Sequence, residues 1–125
     1  SLNDFGDAIR SYANTGDEDD RDLSRVGLSL EMFRAYTEGY LSQRAKQLTD
    51  SEIDHLAFSA RYITFEQVLR FLMDYIDGDT YYKVKYPGHN LVRTHAQYRL
   101  LQSMEEHYGE MCRIVRETVD KYSKA

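Results

Sequence analysis

The sequence predicts an all-α fold, a bundle of about four helices in a single domain spanning residues 1–125. Three observations predict it. Apolar residues recur at three- and four-residue steps over long stretches, which stacks them on one helix face. One proline and seven glycines leave few chain breakers among strong helix formers. The boundaries between stretches carry helix start and stop signals, of which Thr49 with Glu52 and Gly78 are the clearest.

The first helix is predicted from about Phe5 to Ala13, with Asp4 placed to cap it, since carboxylates favour a helix N-terminus. Residues 14–24 follow as an acidic surface loop holding Asp17, Glu18, Asp19, Asp20 and Asp22, with turn residues and no apolar period. The second helix runs from about Ser29, a plausible N-cap, to Gln47, with Phe33, Tyr36, Tyr40 and Leu41 on one face.

The third helix opens on the Thr49–Glu52 capping box and closes at Gly78, which tolerates the positive φ of a C′ position. It carries two apolar stripes. One is Ile53, Leu56, Ala60, Ile63, Val68, Phe71, Leu72, Tyr75 and Ile76; the other is Phe58, Tyr62, Phe65, Leu69 and Met73. Only a narrow polar strip remains, His55, Ser59, Glu66, Arg70, Asp74 and Asp77, so the helix is expected inside the bundle. Residues 79–90 form an aromatic-rich connection with Tyr81, Tyr82 and Tyr86 and a Pro87-Gly88 turn signal. The last helix is predicted from Asn90 to about Tyr122, burying Val92, Ala96, Leu100, Met104, Tyr108, Met111, Val115 and Val119.

A net charge of −5, from 16 basic and 21 acidic residues, excludes a broad nucleic-acid footprint, because phosphate binding needs a Lys/Arg excess. No apolar run approaches the roughly 20 residues that span a bilayer, and the N-terminus lacks the pattern of a signal peptide. The single Cys112 forbids an intrachain disulfide and predicts a reducing, cytoplasmic setting, with the thiol buried and inert. Beginning at Ser1, the chain reads as a remnant or a cleaved piece of something longer.

The constellations that carry chemistry elsewhere are incomplete here. Asp4-Phe5-Gly6-Asp7 matches a magnesium-binding kinase string, but a helix pattern follows at once where an activation loop belongs. The acidic loop lacks calcium-loop spacing. Glu52 with His55 is one half of a di-iron motif whose second half is missing. His89, His95 and His107 lack zinc-like spacing. Arg70 stands out as a guanidinium on a mostly apolar helix. It is either part of an ion-pair ladder with Glu66 and Asp74, or the wall of a pocket closed by Tyr81 and Tyr82.

Four strings weigh on that choice. They are Asp4-Phe5-Gly6-Asp7-Ala8-Ile9-Arg10; Thr64-Phe65-Glu66; Arg70-Phe71-Leu72-Met73-Asp74-Tyr75 continuing through Gly78-Asp79-Thr80-Tyr81-Tyr82; and His89-Asn90-Leu91-Val92-Arg93. In this order and spacing the chain resembles the C-terminal part of aminoglycoside-phosphotransferase-like kinases, in particular the bacterial N-acetylhexosamine 1-kinase branch, whose relatives are sometimes labelled mucin desulfatases. The resemblance implies the C-terminal helical subdomain of a two-lobed, protein-kinase-like enzyme. ATP and magnesium are implied for the parent enzyme and no cofactor for this part. The H-G-D catalytic loop and the magnesium Asp would lie in a missing N-terminal kinase portion, leaving this chain without a catalytic residue of its own.

By the same resemblance Arg70 and Tyr81 contact the sugar, while Asp4 and Asp7 are structural carboxylates. A further pocket wall is implied near Ser11 and Tyr12, and another near Met111 and Cys112. The rival expectation is a free-standing helical module for protein interaction or oligomerisation, which requires an exposed apolar face.

Overall fold

A computed structural model describes residues 2–123. Among them the chain forms six α-helices: α1 (Leu2–Tyr12), α2 (Leu30–Arg44), α3 (Asp50–Asp54), α4 (Leu56–Ile76), α5 (His89–Glu106) and α6 (Tyr108–Ser123). Short 3-10 turns lie at Leu23–Arg25 and Ala45–Gln47. The all-α bundle is therefore as predicted, but four helices become six, because two of the predicted helices are each divided at a histidine.

The two divisions share one cause. At His55 and His107 the backbone leaves helical geometry (φ −97°, ψ 1° and φ −109°, ψ 13°). Each ring Nδ1 approaches the carbonyl four residues back, Ser51 at 2.6 Å and Ser103 at 2.8 Å. A carbonyl can only accept, so Nδ1 carries the proton in both rings. The same oxygen also takes the histidine's own backbone N–H, at 3.2 and 3.1 Å. Sharing one acceptor between side chain and main chain is the local competition that disrupts helices.

The predicted ends are otherwise where the local chemistry places them. Ser29 Oγ accepts the Met32 N–H at 3.1 Å and caps α2. Thr49 and Glu52 make a reciprocal capping box at the start of α3. α1 begins three residues earlier than predicted, so Asp4 sits within its first turn rather than at the cap.

The core forms where α4 packs along α1 and α5, and α2 along α6. Phe5, Ile9, Phe33, Leu41, Leu56, Leu100, Met104 and Met111 are fully buried in it. The Phe5 ring lies among those of Phe33, Tyr36 and Tyr40, with centroids 6.2, 5.8 and 5.1 Å away. Gly6, its neighbour in sequence, touches the backbone of α4: a Cβ there would stand 2.6 Å from the Ser59 carbonyl oxygen.

The acidic loop is a folded unit. Its base is closed by an antiparallel bridge between Asn14 and Leu28 and by the Ser29 N–H donating to the Ala13 carbonyl at 2.8 Å. Buried Asp20 accepts the backbone N–H groups of Asp17 and Asp22. Asp22 accepts the N–H and hydroxyl of Ser24. These carboxylates are spent on the loop's own backbone. Asp19 instead reaches the start of α5, 2.9 Å from His89 Nε2. His89 Nδ1 accepts the Lys85 N–H, so Nε2 is the protonated nitrogen and donates to Asp19.

Two expectations need correction. α4 is not enclosed: Phe58, Tyr62, Phe65, Leu69 and Met73 are all exposed, Met73 to 61 %. α4 has α1 and α5 on one side only, and the stripe that meets them is Leu56, Ala60, Thr64, Val68 and Phe71. Cys112, expected to be buried, is exposed, because α6 turns Met111 and Val115 inward instead. No helix among the described residues is long and apolar enough to cross a membrane.

Candidate functional site

A concavity lies at the C-terminal end of α4, and its geometry starts with how that helix stops. The Asp79 N–H donates to the Asp74 carbonyl at 2.7 Å and the Gly78 N–H to the Tyr75 carbonyl at 3.2 Å. This pair of bonds is a Schellman ending. It needs a left-handed residue after the C-cap, and Gly78 supplies it with φ +94°. Asp79 follows with φ +62°, which a short polar side chain tolerates better than most. The chain thereby reverses and runs back as a strap over α4.

Asp74 holds that strap. Its side chain is 5 % exposed and accepts three donors: the Tyr81 N–H at 2.8 Å, the Tyr82 N–H at 3.0 Å and Asn90 Nδ2 at 2.7 Å. Burial pushes the carboxyl up, but the amides of Tyr82 and Tyr81, the Asn90 side chain and the Thr80 amide together outweigh it. The net result is a carboxyl below its ordinary value. Asn90 is fully buried at the start of α5 and also donates to Asp79 at 3.1 Å. Arg93, one turn on, donates to Asn90 Oδ1 at 2.9 Å and to the Lys83 carbonyl at 3.1 Å. The strap is thus tied to α4 at one end and to α5 at the other.

Between strap and helix is an open concavity of about 490 Å³, lined by Arg70, Met73, Asp74, Asp77, Thr80, Tyr81 and Tyr82. Arg70 and Tyr81 line the same cavity, which is the arrangement a shared pocket requires. Arg70 pairs with Glu66 at 3.2 Å, but Asp74 is turned inward to the strap, so the ladder is one rung and not two. The Tyr82 hydroxyl and then Glu66 hold the Arg70 guanidinium above its ordinary pKa. Tyr82 is anchored by its ring against Phe71, 4.9 Å between centroids, and by Gln67 Nε2 donating to its hydroxyl at 3.1 Å. The Tyr81 ring meets Tyr82 edge-on at 4.9 Å and is otherwise 78 % exposed. The cavity therefore presents a guanidinium, a carboxylate at Asp77, a hydroxyl at Thr80, a flat phenol ring and a thioether. That mixture suits a small, hydroxyl-rich, uncharged ring molecule better than an apolar ligand.

The other expected residues lie elsewhere. Asp4 is exposed in the first turn of α1, where the helix dipole favours a carboxylate. Asp7 accepts Arg10 Nε at 3.0 Å. Arg10 in turn donates to Glu18 at 2.6 Å and to buried Gln97 Oε1 at 3.1 Å, joining α1, the acidic loop and α5. Its burial lowers the guanidinium pKa, but Glu18 and Asp7 more than offset that and raise it. Ser11 and Tyr12 do not line the Arg70–Tyr81 cavity: Ser11 Oγ bonds back to the Asp7 carbonyl, and Tyr12 packs on Tyr36. Met111 is core, and Cys112 lines a separate groove with Ile53, Asp54, Ala57, Val115 and Arg116.

Among the described residues no three His, Cys, Asp or Glu side chains converge as a metal site. In the acidic loop, weighed above for calcium, Asp20 and Asp22 accept backbone N–H groups of the loop itself. The sequence reading missed Asp74 and Asn90 as the organisers of the cavity. A carboxylate four residues before a glycine stop was the one available signal. Compared with models of known protein families, the chain matches none.

Proposed function

We propose that this chain is the acceptor-side helical subdomain of an ATP-dependent sugar phosphotransferase acting on an N-acetylhexosamine-like sugar, and that it has no catalytic activity by itself. Arg70 donates to sugar oxygens from one wall, and Tyr81 offers its ring face and hydroxyl from the other. The single observation carrying the reading is that these two residues, picked out by resemblance to a kinase family, line one solvent-open cavity.

A second feature supports it. Met73 lines the cavity and also belongs to the exposed apolar stripe Phe58, Tyr62, Phe65 and Leu69. A catalytic lobe seated on that stripe would bring ATP and magnesium to the rim of the cavity, and the phosphoryl-transfer groups would come from that lobe. The stripe also favours a second reading, a helical module that pairs with another protein or another copy.

The test is a titration of the isotopically labelled chain with N-acetylglucosamine and N-acetylgalactosamine, followed by amide NMR. The proposal expects saturable shifts at Arg70, Thr80 and Tyr81, and no ADP release when ATP and magnesium are added. Shifts that are absent, or that map to another face, remove the sugar-site reading. Sedimentation of the same material then decides whether the stripe pairs two copies.

A further inference from the structure

We infer that Asp74 is the positioning residue of this cavity: its buried carboxylate holds the Tyr81–Tyr82 backbone, and so keeps the segment that carries Tyr81 at the cavity that Arg70 also lines before a ligand arrives. The inference rests on the sugar-site reading and adds to it the element that makes the site preformed.

Tyr81 cannot be held by its own side chain, since the ring is mostly in solvent and touches Tyr82 by an edge alone. Its position is set through the backbone. The two oxygens of Asp74 divide the work: Oδ1 accepts the Tyr81 N–H, while Oδ2 accepts the Tyr82 N–H and Asn90 Nδ2. Only an ionised carboxylate offers acceptors on both sides. An asparagine there would turn an NH₂ toward one of these donors and leave it unpaired. Arg93 orients Asn90 from behind, so the third donor is itself fixed. Four residues after Arg70 on the same helix, Asp74 measures the strap from the element that carries the guanidinium. A rigid helix thus sets both walls of the cavity, which spares a ligand the cost of ordering a loop.

The experiment compares four chains: wild type, Arg70→Ala, Asp74→Asn and Ser29→Ala. The last loses the distant N-cap of α2 and controls for general destabilisation. Each is titrated with N-acetylglucosamine and N-acetylgalactosamine by amide NMR. Asp74→Asn and Arg70→Ala are each expected to weaken binding about tenfold or more, with Ser29→Ala unchanged. If wild type does not bind, or Arg70→Ala binds equally well, the sugar site itself is wrong and the inference falls with it. If Arg70→Ala is weakened while Asp74→Asn binds like wild type, the inference alone is overturned. The same holds if Ser29→Ala weakens binding as much as Asp74→Asn.

Should Asp74→Asn fail to fold, amide hydrogen exchange on the wild type decides. Slow exchange at Tyr81 and Tyr82 is expected. Exchange at unprotected rates would show that Asp74 holds nothing, and would end the inference.

Discussion

Gly6 of α1 lies against the backbone of Ser59 on α4, so closely that a Cβ at position 6 would fall 2.6 Å from the carbonyl oxygen and 2.8 Å from the carbonyl carbon. The obstacle is main chain inside a helix and cannot swing aside. Gly6→Ala therefore forces α1 and α4 apart, and the expected loss is about 1–3 kcal/mol in chemical denaturation. Unchanged or raised stability would mean that the two helices do not meet at this point. The contact also explains the Asp4-Phe5-Gly6-Asp7 string without a metal: Phe5 fills the core, Gly6 permits the approach and Asp7 orients Arg10.

Acid should loosen the strap and the acidic loop. Three carboxyls of these two segments, Asp19, Asp22 and Asp74, are held below the ordinary value of 3.8, Asp22 first by the Ser24 hydroxyl. Asp19 is lowered first by its hydrogen bond from His89. Asp74 is lowered because the amides of Tyr82 and Tyr81, the Asn90 side chain and the nearby Thr80 amide together outweigh its burial. A depressed folded pKa contributes stability that is fully present above the unfolded value and is lost as pH falls through the folded value. Thermal stability is expected to drop below about pH 4, and the drop should be smaller in Asp74→Asn, which has no carboxyl to protonate there. Melting curves across this range check it; identical acid profiles for the two chains would refute it.

Arg70→Ala and Tyr81→Phe should differ in degree. Losing a hydrogen bond to a charged group costs about 1.5–3 kcal/mol, tenfold or more in affinity for an N-acetylhexosamine. Tyr81→Phe keeps the ring face and loses one hydroxyl, so its effect should be the smaller, about 0.5–1.5 kcal/mol. If Arg70 served only its ion pair with Glu66, Arg70→Ala would leave sugar binding untouched and shift stability by about 0–1 kcal/mol. The same titrations separate these cases.

The exposed stripe of α4 should be replaceable without harm to the fold. Phe65→Asp with Leu69→Asp removes apolar surface that is about half exposed, so melting should move little and dye binding to apolar surface should fall. A large loss of stability would show that the stripe is packed in solution. Should the wild type sediment as a dimer and the double variant as a monomer, the interaction-module reading gains the advantage.

Most of what a neighbour within four residues decides was legible in the sequence; the breaks at His55 and His107, made by carbonyls four residues back, were not. The helical class, the caps at Ser29 and Thr49, the stop at Gly78 and the buried stripes through Phe33 and Leu100 all follow from local hydrogen bonding and from which residues share a helix face. Tertiary structure decided what depends on a partner distant in the chain. It left the Phe58–Met73 stripe in solvent, because α1 and α5 both pack on one side of α4 and periodicity cannot tell a covered apolar face from an uncovered one. It also turned Asp74 from a rung of a surface ladder into the buried anchor of the strap. A carboxylate's surroundings are set by the backbone folded over it, here the amides of Tyr81 and Tyr82 and the side chain of Asn90, sixteen residues away.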